Sequence, residues 1–187
     1  CKKLKKKNQL KDDSVIVLEK SKIASGASGI SCGIARNNYS QSCMRELMAH
    51  SINIWNENAH ELCFHKVGYM QINSQLMVEG MSKVYEEQKK IDFDSTFVVG
   101  AKDCHKYMKE IFDDWQAHTI ESVLHEKNSG YGHNKGAILG LAKLAKNEGA
   151  KIYEGIEVSE INYDSTSNTA KSVNTNEGLY EFENLII

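Results

Sequence analysis

The residues with the clearest chemical potential follow an apolar run near the start of the chain. The run Val15-Ile16-Val17-Leu18 ends in Glu19 and predicts a buried parallel strand. In a dinucleotide-binding βαβ unit, the second strand ends in an acid that accepts hydrogen bonds from the ribose hydroxyls. Glu19 is therefore a candidate for that role, and the glycine turn that accompanies such an acid would lie before Cys1. A solvated strand end is the alternative explanation for Glu19.

A loop of small residues follows the pair Glu19-Lys20. Small side chains let the backbone approach a bulky ligand, and exposed N–H groups and serine hydroxyls can bind a pyrophosphate or the edge of a flavin. Arg36 comes after this loop, and its planar guanidinium can bind a carboxylate through two hydrogen bonds. A structural salt bridge is the alternative role for Arg36. The loop residues considered as ligands are Ser25, Gly26, Ala27, Ser28 and Gly29.

The order of these features resembles the family of FAD-dependent oxidoreductases that contains D-amino-acid oxidase, sarcosine oxidase and dimethylglycine dehydrogenase. The resemblance begins with the strand, Glu19-Lys20, the Gly26-Ala27-Ser28-Gly29 loop, and Arg36 followed by Tyr39. It continues over nearly the whole chain, with later segments at Val67 to Ile72, Gly130 to Gly132, Gly149-Ala150, Glu157-Val158 and Val173 to Thr175. It implies a fragment that lacks the N-terminal GxGxxG turn and the C-terminal part of the family.

The resemblance implies a role for each matching residue. Glu19, with Lys20 beside it, would hold the ribose of FAD, and the loop from Ser25 to Gly29 would lie beside the pyrophosphate and the flavin. The backbone of Val158 would contact the adenine. Arg36 would face the flavin or bind the substrate carboxylate, which makes it the candidate catalytic residue.

Two positions depart from the family pattern. Many sarcosine-oxidase-type sequences have a second arginine where this chain has Gly33. In relatives of dimethylglycine dehydrogenase a histidine tethers the flavin, and the matching position here is Ile30. We therefore expect no covalent flavin attachment at this loop.

The elements that must position these residues alternate between helix and strand. A helix is predicted at the start, within Cys1 to Gln9. Further helices are predicted at about 40–62, 75–90 and 103–112 and around Ala137 to Ala145, and strands at 15–18, 67–72 and 120–125. Four strands at 151–153, 157–163, 170–175 and 179–182 suit a small antiparallel meander, and residues 183–187 predict another buried strand.

This order predicts an α/β fold of the two-dinucleotide-fold, FAD-binding type, incomplete at both ends. A parallel sheet with helices, together with the small meander, would form a partial FAD-binding domain from residues 1–66 and 128–187. Residues 67–127 would form part of an inserted antiparallel substrate domain.

Composition argues against several other classes of protein. A formal net charge of −2 and a pI near 6.4 provide no general basic field for nucleic acid or anionic lipid, so neither is expected as a partner. Five widely spaced cysteines suggest neither a disulfide framework nor a zinc site, and the seven histidines lack the spacing of a metal site. The sequence shows no membrane span and no signal peptide, so a cytoplasmic location is the expected one.

We expect the intact protein to oxidise a C–N bond of a small amine or amino acid, such as sarcosine or dimethylglycine, by hydride transfer to FAD. The small-molecule substrate is the expected partner, and the resemblance leaves room for a subunit of a larger oxidase. This chain alone is expected to be inactive, because the family's C-terminal substrate-binding segment is not in it. The alternatives are a non-catalytic flavoprotein subunit, an FAD-dependent tRNA-modifying enzyme, and a structural or interaction domain.

Overall fold

The predicted alternation of strands and helices is present in a computed structural model, which describes residues 15–187. Contacts group residues 15–31 with 134–187 as unit 1, and residues 32–133 as unit 2. Unit 1 contains β1 (Ile16–Glu19), α4 (Asn134–Asn147), β8 (Lys151–Glu154), β9 (Val158–Asp164), β10 (Thr169–Thr175) and β11 (Gly178–Glu181). Unit 2 contains β2 (Ile34–Ala35), α1 (Ser42–Glu57), β3 (Phe64–His65), β4 (Tyr69–Asn73), α2 (Val78–Lys90), β5 (Ser95–Val99), α3 (Ala101–Ile111), β6 (Ser122–Glu126) and β7 (Gly130–Gly132). Short 3-10 turns occur at Ala27–Ile30 and Gln75–Met77.

Unit 1 has a parallel strand pair and a separate antiparallel sheet. β1 pairs in parallel with β8, so that Glu19 lies opposite Glu154. The chain passes from α4 to β8 through Gly149, whose φ of +82° is a conformation that favours glycine. The Ala150 N–H then donates a hydrogen bond to the Ala145 carbonyl at 3.0 Å. Strands β9, β10 and β11 form the predicted meander, in the order β11-β10-β9.

The main sheet of unit 2 is antiparallel and packs against a helix on each face. Its strand order is β4-β6-β5. On one face, Cys104 and Met108 of α3 pack against Val123 of β6. On the other face, Tyr85 of α2 lies against Phe97 of β5, with ring centroids 5.5 Å apart. Alternation along β6 therefore separates an apolar face from a face that carries Glu126.

A second small sheet joins the start of unit 2 to its end. β7 lies between β2 and β3. The three strands are so close at Gly130 that a Cβ there would lie 2.0 Å from the His65 carbonyl oxygen. Ala35, Ile52 and Phe64 form the apolar cluster that packs α1 onto β2 and β3.

Several boundaries in unit 2 differ from the predicted ones. The first long helix ends at Glu57 rather than near residue 62, because the Asn58 side chain caps it by donating to the Ile54 carbonyl at 2.8 Å. The predicted helix at 75–90 begins as a 3-10 turn and becomes α-helical at Val78. The sequence pattern did not reveal β5, because its three apolar residues are consecutive and do not alternate with polar ones.

Three predictions about unit 1 are wrong. The segment at 151–153 is not part of the meander but is β8, because α4 returns the chain beside β1 as a parallel crossover. β1 is parallel as predicted but not buried: Ile16 and Val17 are 47% and 43% exposed. Residues 183–187 form no strand, and Ile186 and Ile187 are exposed. The helix predicted within residues 1–9 lies outside the described residues.

Candidate cofactor and carboxylate sites

The carboxyl end of β1 brings together the residues predicted to bind ribose and adenine. The backbone carbonyl of Glu19 accepts a hydrogen bond from the Ile156 N–H at 3.0 Å. Lys20 forms an ion pair with Glu157, with Nζ and Oε1 2.6 Å apart. Val158 is the next residue and begins β9. Glu19, Lys20 and the segment that leads to Val158 are therefore neighbours in unit 1.

The loop that follows β1 folds back on itself. The Glu19 carboxylate accepts a hydrogen bond from the Ser21 N–H at 2.8 Å, and the Gly29 N–H donates to the Gly26 carbonyl at 3.0 Å. Gly29 is packed so tightly that a Cβ would lie 2.0 Å from the Ala24 carbonyl oxygen, whereas a Cβ at Gly26 would have no heavy atom within 4 Å. Four of the five predicted loop ligands are exposed, namely Ser25, Gly26, Ala27 and Ser28.

Arg36 lies in unit 2, where two tyrosines hold its guanidinium. Its Nη1 donates a hydrogen bond to the Tyr69 hydroxyl at 2.6 Å. The guanidinium carbon lies 5.3 Å from the ring centroid of Tyr39 and 5.2 Å from that of Tyr69. Burial lowers the pKa of Arg36, but its interactions with Tyr69 and then Tyr39 outweigh this effect and leave the pKa above its ordinary value. Within residues 15–187 no carboxylate forms an ion pair with Arg36, so the structural salt bridge is not found there.

A chain of hydrogen bonds along β4 fixes the tyrosine that holds Arg36. The Tyr69 hydroxyl donates to Gln71 Oε1 at 2.9 Å, and Gln71 Nε2 donates to Asn73 Oδ1 at 3.1 Å. Asn73 Nδ2 in turn donates to the Ser122 hydroxyl at 3.3 Å. Because the Tyr69 proton is directed to Gln71, the Tyr69 oxygen is left to accept the hydrogen bond from Arg36.

A buried carboxylate lies near Arg36 on β6. Glu126 is 0% exposed and accepts hydrogen bonds from the Asn37 N–H, the Ser129 hydroxyl and the Gln88 side-chain amide, each at 2.7 Å. Burial raises the pKa of Glu126, and the three hydrogen bonds and the charge of Arg36 offset part of this increase. The carboxylate is thus held by donors from three separate segments of unit 2.

We predict that the free energy of unfolding of Glu126→Gln, relative to wild type, increases as the pH rises. The pKa of Glu126 is higher in the folded protein than its ordinary value of 4.5, so its ionisation destabilises the wild-type fold as the pH rises from 4.5 through the folded pKa. Glutamine does not ionise, and the Gln88 amide can rotate so that its buried, unpartnered Oε1 accepts from the new amide.

The measurement is urea unfolding of the wild-type and Glu126→Gln proteins at about pH 4 and about pH 8. The free energy of unfolding of the variant, relative to wild type, should be greater at the higher pH. A relative loss of stability at the higher pH would contradict the prediction.

The sequence identified Arg36 but not the residues that hold it. The available signal for the polar chain was the period-two spacing of Tyr69 and Gln71 within the predicted strand 67–72 and of Asn73 directly after it. The signal for the buried acid was the position of Glu126 directly after the predicted strand 120–125, which contains the apolar pair Val123-Leu124. Neither pattern alone indicates a contact with Arg36.

Histidine, cysteine and acidic side chains also occur elsewhere in residues 15–187. In this range no group of three or more His, Cys, Asp or Glu side chains is arranged to hold a metal ion. No helix of the described part is both long and apolar enough to cross a membrane. Four cysteines in this range are free thiols, and they are Cys32, Cys43, Cys63 and Cys104.

The chain belongs to the DAO family of FAD-dependent oxidoreductases. The model of this family matches residues 4–187, which is nearly the whole sequence. The family requires FAD, so FAD is the cofactor. A comparison with curated proteins finds no significant match.

Solved structures with the same fold include three enzymes that act on amino acids according to their names. L-proline dehydrogenase from P. horikoshii matches with a TM-score of 0.78 and 20% identity, over 92% of this chain and 52% of that one. Glycine oxidase from Bacillus cereus ATCC 14579 matches with a TM-score of 0.69 and 23% identity, over 91% and 48%. L-amino acid deaminase from Proteus myxofaciens, in complex with anthranilate, matches with a TM-score of 0.75 and 17% identity, over 91% and 39%. The predicted α/β, FAD-binding fold is confirmed, and the chain spans about half the length of these structures or less.

The residues of unit 1 fit a bound FAD. The carboxylate of Glu19 stands at the end of a parallel strand, where it can accept hydrogen bonds from ribose hydroxyls. The loop beside it is exposed, carries serine hydroxyls and has open space at Gly26 for a pyrophosphate. Ile30 is 81% exposed and offers no nucleophile for a covalent bond to the flavin.

Proposed function

We propose that the intact protein oxidises a C–N bond in a small amine or amino acid by hydride transfer to FAD, with sarcosine, dimethylglycine or a similar compound as substrate. The observation that carries the proposal is Arg36, a cation held between Tyr39 and Tyr69 that forms no direct ion pair with a carboxylate among residues 15–187. A guanidinium of this kind suits the carboxylate that sarcosine and dimethylglycine share. We assign the reaction to the intact protein and not to this chain alone.

The names of the structural relatives support a carboxylate-bearing amine as the substrate. Glycine, proline and the L-amino acids named there all carry a carboxylate one carbon away from the nitrogen. Proline and sarcosine are in addition both secondary amines. The proposed substrate class therefore shares the two groups that a site built around Arg36 would recognise.

Each candidate residue has a proposed task of its own. FAD, when bound, supplies the hydride acceptor. Glu19 and Lys20 would hold the ribose, the loop from Ser25 to Gly29 would bind the pyrophosphate and the flavin, and the backbone of Val158 would contact the adenine. Arg36 would bind the substrate carboxylate and so orient the C–H bond next to the nitrogen.

The proposed domains remain those predicted from the sequence. We assign residues 1–66 and 128–187 to the FAD-binding domain and residues 67–127 to the substrate domain. The antiparallel sheet β4-β6-β5, which carries the polar chain ending at Arg36, lies within the second range.

The test is anaerobic reduction of the flavin in the completed protein. The chain, extended with the flanking sequence of its own gene and loaded with FAD, is mixed with sarcosine, dimethylglycine, glycine or proline. Loss of the visible flavin absorption with at least one of them is expected. Dimethylamine and trimethylamine, which lack the carboxylate, are the matched controls and should reduce the flavin more slowly. A protein that binds FAD but is reduced by none of these compounds would contradict the proposal and favour a non-catalytic flavoprotein subunit.

A further inference from the structure

Glu126 joins three segments of unit 2 and has no part in the proposed reaction. Its three hydrogen-bond donors are Asn37 in the loop after β2, Gln88 in α2 and Ser129 in the turn before β7. An aliphatic side chain would avoid the desolvation cost of a buried carboxylate. What the carboxylate contributes instead is three directional hydrogen bonds, which fix the positions of their donors.

Two residues beside Glu126, Asn37 and Tyr69, are also direct neighbours of Arg36. Asn37 follows Arg36 in the chain, so the bond from the Asn37 N–H to Glu126 fixes the peptide group that joins the two residues. Tyr69, which accepts a hydrogen bond from Arg36, lies opposite Glu126 in the register of β4 and β6. The backbone and the guanidinium of Arg36 are therefore both set relative to the same residue of β6.

A second buried residue, Arg45 of α1, forms hydrogen bonds with the segment that follows Arg36. The Asn37 side chain donates to the Arg45 carbonyl at 2.6 Å. Arg45 Nη1 donates to the carbonyls of Tyr39 and Ser40, each at 2.7 Å. Glu126 then connects this segment, residues 37–40, to the antiparallel sheet by accepting the hydrogen bond from the Asn37 N–H.

We propose that Glu126 is a positioning residue for Arg36, because it holds the Asn37 peptide and thereby places the guanidinium where it binds the substrate carboxylate. This inference rests on the proposed function, since it requires a substrate with a carboxylate. Glu126 itself does not touch the substrate. Breaking its bond to Asn37 should weaken carboxylate binding selectively and leave the flavin chemistry unchanged.

Variants of the completed, FAD-loaded protein separate positioning from support of the fold. Glu126→Ala removes the acceptor of the Asn37 N–H, and Glu126→Gln keeps an oxygen there. Glu126→Asp, which retracts the acceptor by one methylene, replaces the alanine variant if that one does not fold. Val123→Ala is the matched control, because Val123 is fully buried on the same strand but packs against Cys104 and Met108 on the opposite face.

Four quantities are measured for each variant. They are KM and kcat with sarcosine, the rate of flavin reduction by a high concentration of dimethylamine, and hydrogen exchange in peptides that cover residues 33–40. The exchange measurement requires no turnover. It therefore tests the link between Glu126 and the Arg36 segment even if no substrate is found.

Glu126→Ala should raise the KM for sarcosine about tenfold or more, with kcat and the reaction of dimethylamine nearly unchanged. Glu126→Ala should also speed hydrogen exchange at residues 33–40. Glu126→Gln should bring both the KM for sarcosine and the exchange rate back towards wild type. Val123→Ala should change neither quantity. Equal losses with sarcosine and dimethylamine, or unchanged exchange at 33–40, would overturn the inference. A wild-type protein that no amine or amino acid reduces would instead contradict the proposed function.

Discussion

Replacing Gly29 by alanine is expected to weaken FAD binding by the intact protein about tenfold or more, whereas Gly80→Ala should leave binding close to wild type. A Cβ at residue 29 would lie 2.0 Å from the Ala24 carbonyl oxygen and 2.9 Å from its carbon. Both are backbone atoms, so no side-chain rotation relieves the clash and the loop must open. Opening displaces Ser25 and Ser28, which we propose lie beside the pyrophosphate.

The Kd for FAD is measured by titrating the apoprotein and following the quenching of flavin fluorescence. Gly80→Ala is the matched control, because its Cβ would have no heavy atom within 4 Å and the residue lies in α2, outside the proposed FAD-binding loop. The same Kd for wild type and Gly29→Ala would contradict the role assigned to the folded loop.

Arg36→Met is expected to raise the KM for sarcosine about a hundredfold, with little change in flavin reduction by dimethylamine. Methionine keeps much of the apolar stem but loses the charge, the hydrogen bond to Tyr69 and the two donors proposed for the substrate carboxylate. Arg36→Lys should have a KM for sarcosine between those of wild type and Arg36→Met. An ammonium keeps the charge but neither stacks on tyrosine nor forms two parallel hydrogen bonds.

Steady-state kinetics with both compounds measure this effect. Lys66→Met is the control for loss of a positive charge, because Lys66 is an exposed cation of the same unit. If Arg36→Met slowed sarcosine and dimethylamine equally, Arg36 would act on the flavin or the fold and not on the substrate carboxylate.

Candidate cofactor residues could be proposed from the sequence because most of them follow one another along the chain. A strand that ends in Glu19 and a loop of small residues are local patterns, and the structure shows them within one unit. The packing of Gly29 against Ala24 is also local, since the two residues are only five positions apart. The sequence pattern did not reveal that a Cβ would clash with the backbone at Gly29 but would have free space at Gly26.

The partners of Arg36 could not be predicted, because they come from distant parts of the chain. Tyr69 is 33 residues from Arg36, and Glu126 is 89 residues from Asn37. Only the register of β4 against β6 brings Tyr69 and Glu126 opposite each other, and register depends on tertiary packing. The same limit explains the wrong assignment of β8, whose short sequence fits either a meander or a parallel pair.

Use of FAD by the intact protein is tested by the absorption spectrum of the purified, completed protein. The spectrum is recorded after purification and again on the supernatant after acid precipitation. We predict flavin bands in the purified protein that pass into the supernatant, as expected for FAD held without a covalent bond at the loop that contains Ile30. A colourless protein that also fails to take up added FAD would contradict the account.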